Sequence, residues 1–137
     1  MSVSLEALEK AVGLIFSTAR EYKFYVSEEI SVDIVALSEI PHFNSDEKFL
    51  SVIIDIVNGL KLIATNNLGE DLIGNYIGYI SYHIRTIYEP NPNSEDVRII
   101  YRDMGNLKFL FAIGHRYMPD DFYERIARRL WFLFYLK

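Results

Sequence analysis

Apolar residues recur at spacings of three and four along most of the chain, the repeat of one face of an α-helix. Leu5, Leu8, Val12, Ile15, Ala19, Tyr22 and Val26 form a first stripe, and Phe49, Ile53, Ile56, Leu60 and Ile63 a second. Ile73, Ile77, Ile80, Ile84 and Ile87 form a third, Val97, Ile100, Met104, Leu107 and Phe111 a fourth, and Phe122, Ile126, Leu130 and Leu133 a fifth. Turn-forming residues separate the stripes at Ile40-Pro41-His42-Phe43-Asn44, Asn66-Asn67-Leu68-Gly69, Glu89-Pro90-Asn91-Pro92-Asn93 and Met118-Pro119. Each segment opens on a capping side chain or acids, such as Ser4 with Glu6, Ser45-Asp46-Glu47 and Pro119-Asp120-Asp121. These satisfy free amides and oppose the positive end of a helix dipole. The pattern predicts helices over 4–26 (in one reading extending to 38), 45–65, 68–88, 94–117 and 119–136 within a single domain, 1–137. Short loops make successive helices antiparallel neighbours, so the expected class is all-α, an up-and-down bundle of four to five helices.

Some of the same stretches also fit a period of two. Ile30-Ser31-Val32-Asp33-Ile34, Ile80-Ser81-Tyr82-His83-Ile84 and Val97-Arg98-Ile99 alternate and are rich in β-branched and aromatic residues. Asp103-Met104-Gly105-Asn106 then reads as a hairpin turn between Val97–Arg102 and Leu107–Ala112. The element order becomes helix, two strands, helix, three strands, helix. That order resembles the roadblock and longin group of small domains, above all over residues 97–136, and gives an α+β sandwich as the alternative fold. The resemblance implies a non-enzymatic subunit that binds small GTPases or trafficking partners. The length, the lack of cysteine and the Ile- and Tyr-rich texture also resemble small proteins of viruses that infect hyperthermophilic archaea, which implies a dimeric helical bundle.

Composition narrows the function classes. Half of the residues are hydrophobic and 15% aromatic, enough for a packed core and too many for a disordered chain. With no cysteine, disulfides, thiolate metal sites and a cysteine nucleophile are excluded. The N-terminus, Met1-Ser2-Val3-Ser4-Leu5-Glu6, lacks the basic cluster and apolar run of a signal peptide. Unbroken apolar runs reach only seven residues, against about 20 for a membrane helix. The expectation is a cytoplasmic protein with no membrane span. The net charge of −5 is unevenly distributed: residues 1–97 carry 6 Lys+Arg against 15 Asp+Glu, and residues 98–137 carry 8 against 4. Packing of the two halves against each other would neutralise them, and a basic surface would meet an acidic partner or nucleic acid.

Reactive constellations are sparse. His42, His83 and His115 lie in three segments without metal-ligand spacing, and His83 and His115 read as capping residues near helix C-termini. Glu70-Asp71, Glu95-Asp96 and Asp120-Asp121 read as first-turn acids rather than cation ligands. Gly74-Asn75-Tyr76-Ile77-Gly78 reads as a place where two helices approach closely. No nucleophile elbow, Walker loop or dinucleotide fingerprint is present. Two features stand out. Leu130, Trp131, Phe132, Leu133, Phe134 and Tyr135 would make the last helix apolar all round, so its outer side needs a cover: another element of the domain, a second copy or a membrane surface. Arg125, Arg128 and Arg129 lie three and four apart ahead of that run, and Arg98 and Arg102 form a similar pair, together a candidate contact for an anion or nucleic acid. The leading expectation is therefore a non-enzymatic protein–protein interaction domain, a homodimer through its final helix, with no catalytic residues, metal or cofactor. The alternatives are a nucleic-acid-binding accessory protein using the arginines and a roadblock-like partner of a GTPase.

Overall fold

The computed structural model describes residues 2–66 and 68–135, with Asn75 and residues 130–135 described by backbone alone. The fold is mixed α/β, not the expected all-α bundle. In chain order it comprises α1 (Leu5–Glu21), β1 (Phe24–Val26), α2 (Ile30–Ser38), a short 3-10 turn at Pro41–Phe43, α3 (Asp46–Asn66), β2 (Glu70–Asp71), a second 3-10 turn at Gly74–Tyr76, β3 (Ile80–Ile84), β4 (Val97–Asp103), β5 (Lys108–His115) and α4 (Phe122–Tyr135). The strands form one sheet in the order β1-β5-β4-β3-β2, antiparallel except for the parallel β1–β5 pair.

Helix formation follows the expected stripes where the apolar spacing is backed by caps. The Ser4 hydroxyl accepts from the Ala7 amide at the start of α1, while the Ser4 amide and hydroxyl donate to the Asp46 carboxylate at 2.7 and 2.6 Å. The starts of α1 and α3 are thereby tied together. The helix expected to reach residue 26 stops at 21 because Lys23 takes a left-handed φ of 61° and sends the chain into β1. The alternating stretch Ile30–Ile34 forms α2 and not a strand. Its buried residues Ile30, Asp33, Ile34, Leu37 and Ser38 have helical spacing once Asp33 is counted as a core position.

The expected helices over 68–88 and 94–117 are strands and turns, as in the α+β alternative. Gly69, Gly74 and Gly78 adopt φ of 125°, 66° and 95°, which no helix accommodates. The four-residue spacing of isoleucines there is not a buried stripe, since Ile73, Ile77 and Ile87 are 85%, 73% and 79% exposed. Gly74 and Gly78 serve turns and not helix contact. Over 97–115 the β-branched and aromatic run pairs as a hairpin, with Gly105 at φ 86° and the Met104 amide donating to the Leu107 carbonyl.

Two cores flank the sheet. The inner core joins α1, α2 and α3 to Val97, Ile99, Tyr101, Leu110 and Ile113, and the outer core joins Phe122 and Ile126 of α4 to Tyr79, Ile100, Phe111 and Ala112. α3 is long and apolar enough by composition to cross a membrane, and burial of Phe49, Val52, Ile53, Ile56, Leu60 and Ile63 in the inner core accounts for that apolarity.

β5 is the hub. Ala112 pairs with Ile100 and Leu110 with Tyr101, so Phe111 is the extra residue of a bulge. β1 covers only Lys108–Leu110. Beyond it, the Ile113 amide donates to Asp33 Oδ2 at 3.0 Å, and Arg129 Nη1 donates to the Phe111 carbonyl at 3.2 Å. Asp33 and Arg129 are also bonded to each other, through Nη1 to Oδ2 at 3.0 Å and through Nη2 to Oδ1. Asp33 is 1% exposed, and the Arg129 side chain 11%. Burial pushes the Asp33 carboxyl above its usual range, and the Arg129 guanidinium and Ile113 amide pull the other way. Removing one member strands the other in the interior. Asp33→Ala is expected to cost about 3–5 kcal/mol in urea unfolding followed by far-ultraviolet circular dichroism, with partial recovery in the Asp33→Leu/Arg129→Met double variant. A double variant no more stable than Asp33→Ala would show that the stranded charge is not the source of the loss.

Candidate functional site

The alternation of β3 and β4 puts Ser81 and His83, and opposite them Arg98, Ile100 and Arg102, on the outer face of the sheet. Arg98 Nη1 lies 2.7 Å from His83 Nε2 and 3.4 Å from the Tyr123 hydroxyl, which in turn lies 3.0 Å from Ser81 Oγ. A guanidinium only donates, so His83 Nε2 accepts and the ring proton sits on Nδ1, 3.5 Å from Glu95. Burial first, then the Arg98 charge, pulls the His83 ring below its ordinary value against the opposing pull of Glu95. Tyr123 is held on the first turn of α4, where its carbonyl accepts the Tyr76 hydroxyl at 2.5 Å.

Gly114 stands opposite Arg98 on β5, and its missing side chain is what lets α4 settle there. A Cβ at Gly114 would meet the Arg125 guanidinium, and the Phe122 ring at 2.8 Å. Arg125 therefore lies on the sheet surface beside Arg98, its guanidinium 5.4 Å from the Phe122 ring centroid and 3.8 Å from the exposed Asp120 carboxylate. Arg98 Nε, Arg125 Nε and Arg125 Nη2 are buried with no hydrogen-bond partner among the described residues. Arg98 has no carboxylate within ion-pair distance among those residues. Buried cations in proteins are paired as a rule, because desolvating an isolated charge is costly. Arg125 is paired with Asp120, and Arg98 is held by the neutral His83 ring and the Tyr123 hydroxyl rather than by a carboxylate.

Further along the same face an aromatic row runs from Tyr25 through Phe109 and Phe111 to Tyr79, with successive ring centroids at 6.1, 6.1 and 4.9 Å. Tyr25 is 68% exposed, and Arg102, also exposed, lies 5.8 Å from the Tyr79 ring centroid.

The five arginines singled out in the sequence thus separate into distinct roles. Arg98 and Arg125 come together, Arg102 joins the aromatic row, Arg128 is exposed on α4, and Arg129 is turned inward onto Asp33. The expected solvent-facing row over Arg125, Arg128 and Arg129 is not one face. The side chains of Leu130, Trp131, Phe132, Leu133, Phe134 and Tyr135 lie outside the described residues. Ser81, Tyr123 and Gly114 were not anticipated. The period-two alternation of 80–84 and 97–102 would have put Ser81, His83, Arg98 and Arg102 on one face.

A second cluster lies at the end of the sheet, where Glu89, Asp96 and His115 bring ligand-type atoms within 4.8 Å of one another. Its hydrogen bonds point to a structural role. The Asp96 carboxylate accepts the Thr86 amide and hydroxyl at 2.8 and 2.6 Å. His115 Nδ1 accepts the Tyr117 and Met118 amides, both at 3.1 Å, so the neutral ring carries its proton on Nε2. Neither nitrogen offers a free lone pair to a cation.

No family model, curated protein or solved structure matches the chain. The likenesses to roadblock and longin domains and to viral proteins stay with element order, length and texture.

Burial pulls the His115 ring below its ordinary value, with Asp96 and Glu89 opposing. The unfolded ring, titrating at about 6.5, takes up its proton first as pH falls. The contribution of the neutral buried ring is therefore present above that pH and is lost as pH drops from there through the folded value. His115→Asn keeps an acceptor for the two amides and removes the titration, so its unfolding free energy is expected to fall less steeply below neutrality than that of the native chain. Equal slopes in urea titrations across that range would count against a neutral buried ring.

Proposed function

We propose that this domain binds single-stranded nucleic acid across the outer face of its sheet. The observation that carries the reading is the placing of Arg98, Arg102 and Arg125 on that face beside the exposed Tyr25 ring and the half-buried Phe109 ring packed against it, the part of the aromatic row that α4 leaves open. Cations that track phosphates, beside aromatic rings on which bases stack, are the two components of single-strand recognition. A duplex, whose bases are already stacked, can use only the first.

The charge distribution supports the same orientation. The inner helices α1, α2 and α3 come from the acidic stretch, residues 1–97, whereas β5, α4 and most of β4 come from the basic stretch, residues 98–137. A polyanion is thus attracted to one side of the sheet and repelled from the other. The role is binding without turnover. His83 has both ring nitrogens engaged, Nε2 by Arg98 and Nδ1 facing Glu95, and His115 Nδ1 is occupied by two backbone amides.

Fluorescence-anisotropy titration of single-stranded and duplex oligonucleotides at two salt concentrations tests the proposal. Tighter binding of the single strand is expected, weakening with salt. Tyr25→Ala should lower single-strand affinity by about 1–3 kcal/mol with the salt dependence retained. Arg102→Ala and Arg128→Ala should each weaken binding and lower the salt slope by about 1. Absence of binding at low salt sinks the proposal.

A further inference from the structure

A cleft of about 380 Å³ opens between β1 and the β4–β5 turn, lined by Lys23, Phe24, Tyr25, Asn106 and Leu107. Backbone bonds fix its walls. The Lys108 amide donates to the Lys23 carbonyl at 3.4 Å and joins the two sides. Within the turn, the Met104 amide donates to the Leu107 carbonyl at 2.9 Å, and the Gly105 amide to the Asp103 carboxylate at 3.1 Å. The lining is mostly apolar and leaves room for a flat ring: Tyr25 is 68% exposed, Leu107 39%, and Phe109 packs against Tyr25 with centroids 6.1 Å apart. Two polar groups accompany it. The exposed Asn106 carboxamide has no hydrogen-bond partner among the described residues, and Lys23 has no carboxylate within ion-pair distance among them. Lys23 also stands where a helix end ordinarily uses glycine. Its φ of 61°, directly after the C-cap Tyr22 of α1, crowds any Cβ. The lysine side chain is thus held at the cleft on a backbone that glycine would adopt without strain.

Resting on the single-strand reading above, we infer that this cleft is the subsite for one adenine base of the bound strand. The Tyr25 ring stacks on the base, Leu107 covers its other side, the Asn106 carboxamide bonds its edge, and Lys23 holds the flanking phosphate. A carboxamide carries a donor and an acceptor side by side. Adenine presents the matching pair at N6 and N7, where guanine presents two acceptors. A purely apolar ligand would leave Asn106 and Lys23 unused, and a free anion would meet a single cation on an apolar wall. A nucleotide engages all four side chains. The cleft is continuous with the binding face, because Tyr25 belongs to both the aromatic row and the lining. The strand is therefore held in register at β1, with Arg102 and the exposed Arg128 meeting its backbone farther along.

The test uses short strands of abasic sugar-phosphates carrying one central base (adenine, guanine, cytosine or thymine) or none, titrated against the full native chain by fluorescence anisotropy. The adenine strand is expected to bind about tenfold tighter than the strand with no base, the scale of one stacked base, and tighter than the other three. Asn106→Ala should erase the preference among the four bases while keeping the advantage of any base over none. Lys23→Gly should weaken every strand and lower the salt slope by about 1, with an unfolding free energy no lower than that of the native chain. In parallel, adenosine monophosphate titrated into the native chain should shift the Asn106 side-chain amide in nitrogen-15 NMR, and inorganic phosphate should not. Equal binding of all five strands by the native chain overturns the base subsite and leaves the binding face standing. An Asn106 shift with adenosine monophosphate but no strand binding keeps the subsite and overturns the face. A base preference that survives in Asn106→Ala overturns the assignment to that side chain, and a Lys23→Gly chain that binds as tightly as the native one overturns the phosphate contact.

Discussion

Where β1 ends after three residues, β5 is left with a backbone amide and a carbonyl directed sideways into the protein, and such groups must find partners when buried. Asp33 and Arg129 supply them. The carboxylate accepts from Ile113, the guanidinium donates to Phe111, and the two ions neutralise each other. The pair does for the edge of β5 what another strand would do, with side chains from opposite layers. Because Asp33 belongs to α2 and Arg129 to α4, the same bonds fix the inner helices and the outer helix to one strand. The position of α4 then determines what lies beneath its first turns, namely Gly114, Arg98 and the Tyr123 hydroxyl. The outer site therefore depends on a contact made about two turns further along the helix.

How much of this was legible in the sequence can be judged residue by residue. α1 and α3 were readable because cap, stripe and length agree, as with Ser4 ahead of Leu5–Glu21. α2 was obscured because Asp33 looks like a solvent-facing acid, which turns a helical burial pattern into an apparent alternation. In the third segment, isoleucines four apart imitated a helix face. An even spacing keeps residues on one side of a strand as well, so Ile80 and Ile84 are compatible with both periods, and the deciding residues were Gly69, Gly74 and Gly78. The same ambiguity explains why Arg98 and Arg102, expected as a pair on a helix, lie on one face of β4 instead. The long-range partners were not readable at all. Nothing local to Arg129 announces Asp33, and nothing local to Arg98 announces Tyr123.

The sheet also separates the chemistry of its two sides. Apolar helices with acidic outer surfaces bury the inner face, and the basic final third of the chain builds the outer one. Arg116, ion-paired with Asp121 and stacked 4.9 Å from the Tyr123 ring, adds another cation at the loop leading into α4. Arginines on this side rest on aromatic rings as well as on carboxylates, which leaves part of their hydrogen-bonding capacity unspent.

The parallel pairing of β1 with β5 has a consequence for how the chain comes to be folded. Phe24 aligns with Lys108, and the bonds from Asp33 to Ile113 and Arg129 span 80 and 96 residues. During synthesis α1, β1, α2 and α3 leave the ribosome well before the strand that receives them. Their apolar faces can pair with one another at that stage but not with the sheet. Closure of so long a loop makes folding slow relative to a helical bundle of the same size. α4 carries Arg129, so the interior charge at Asp33 stays unmatched until that helix has been made, 96 residues after Asp33. Until α4 has emerged and docked, the inner layer stays open to chaperones and proteases.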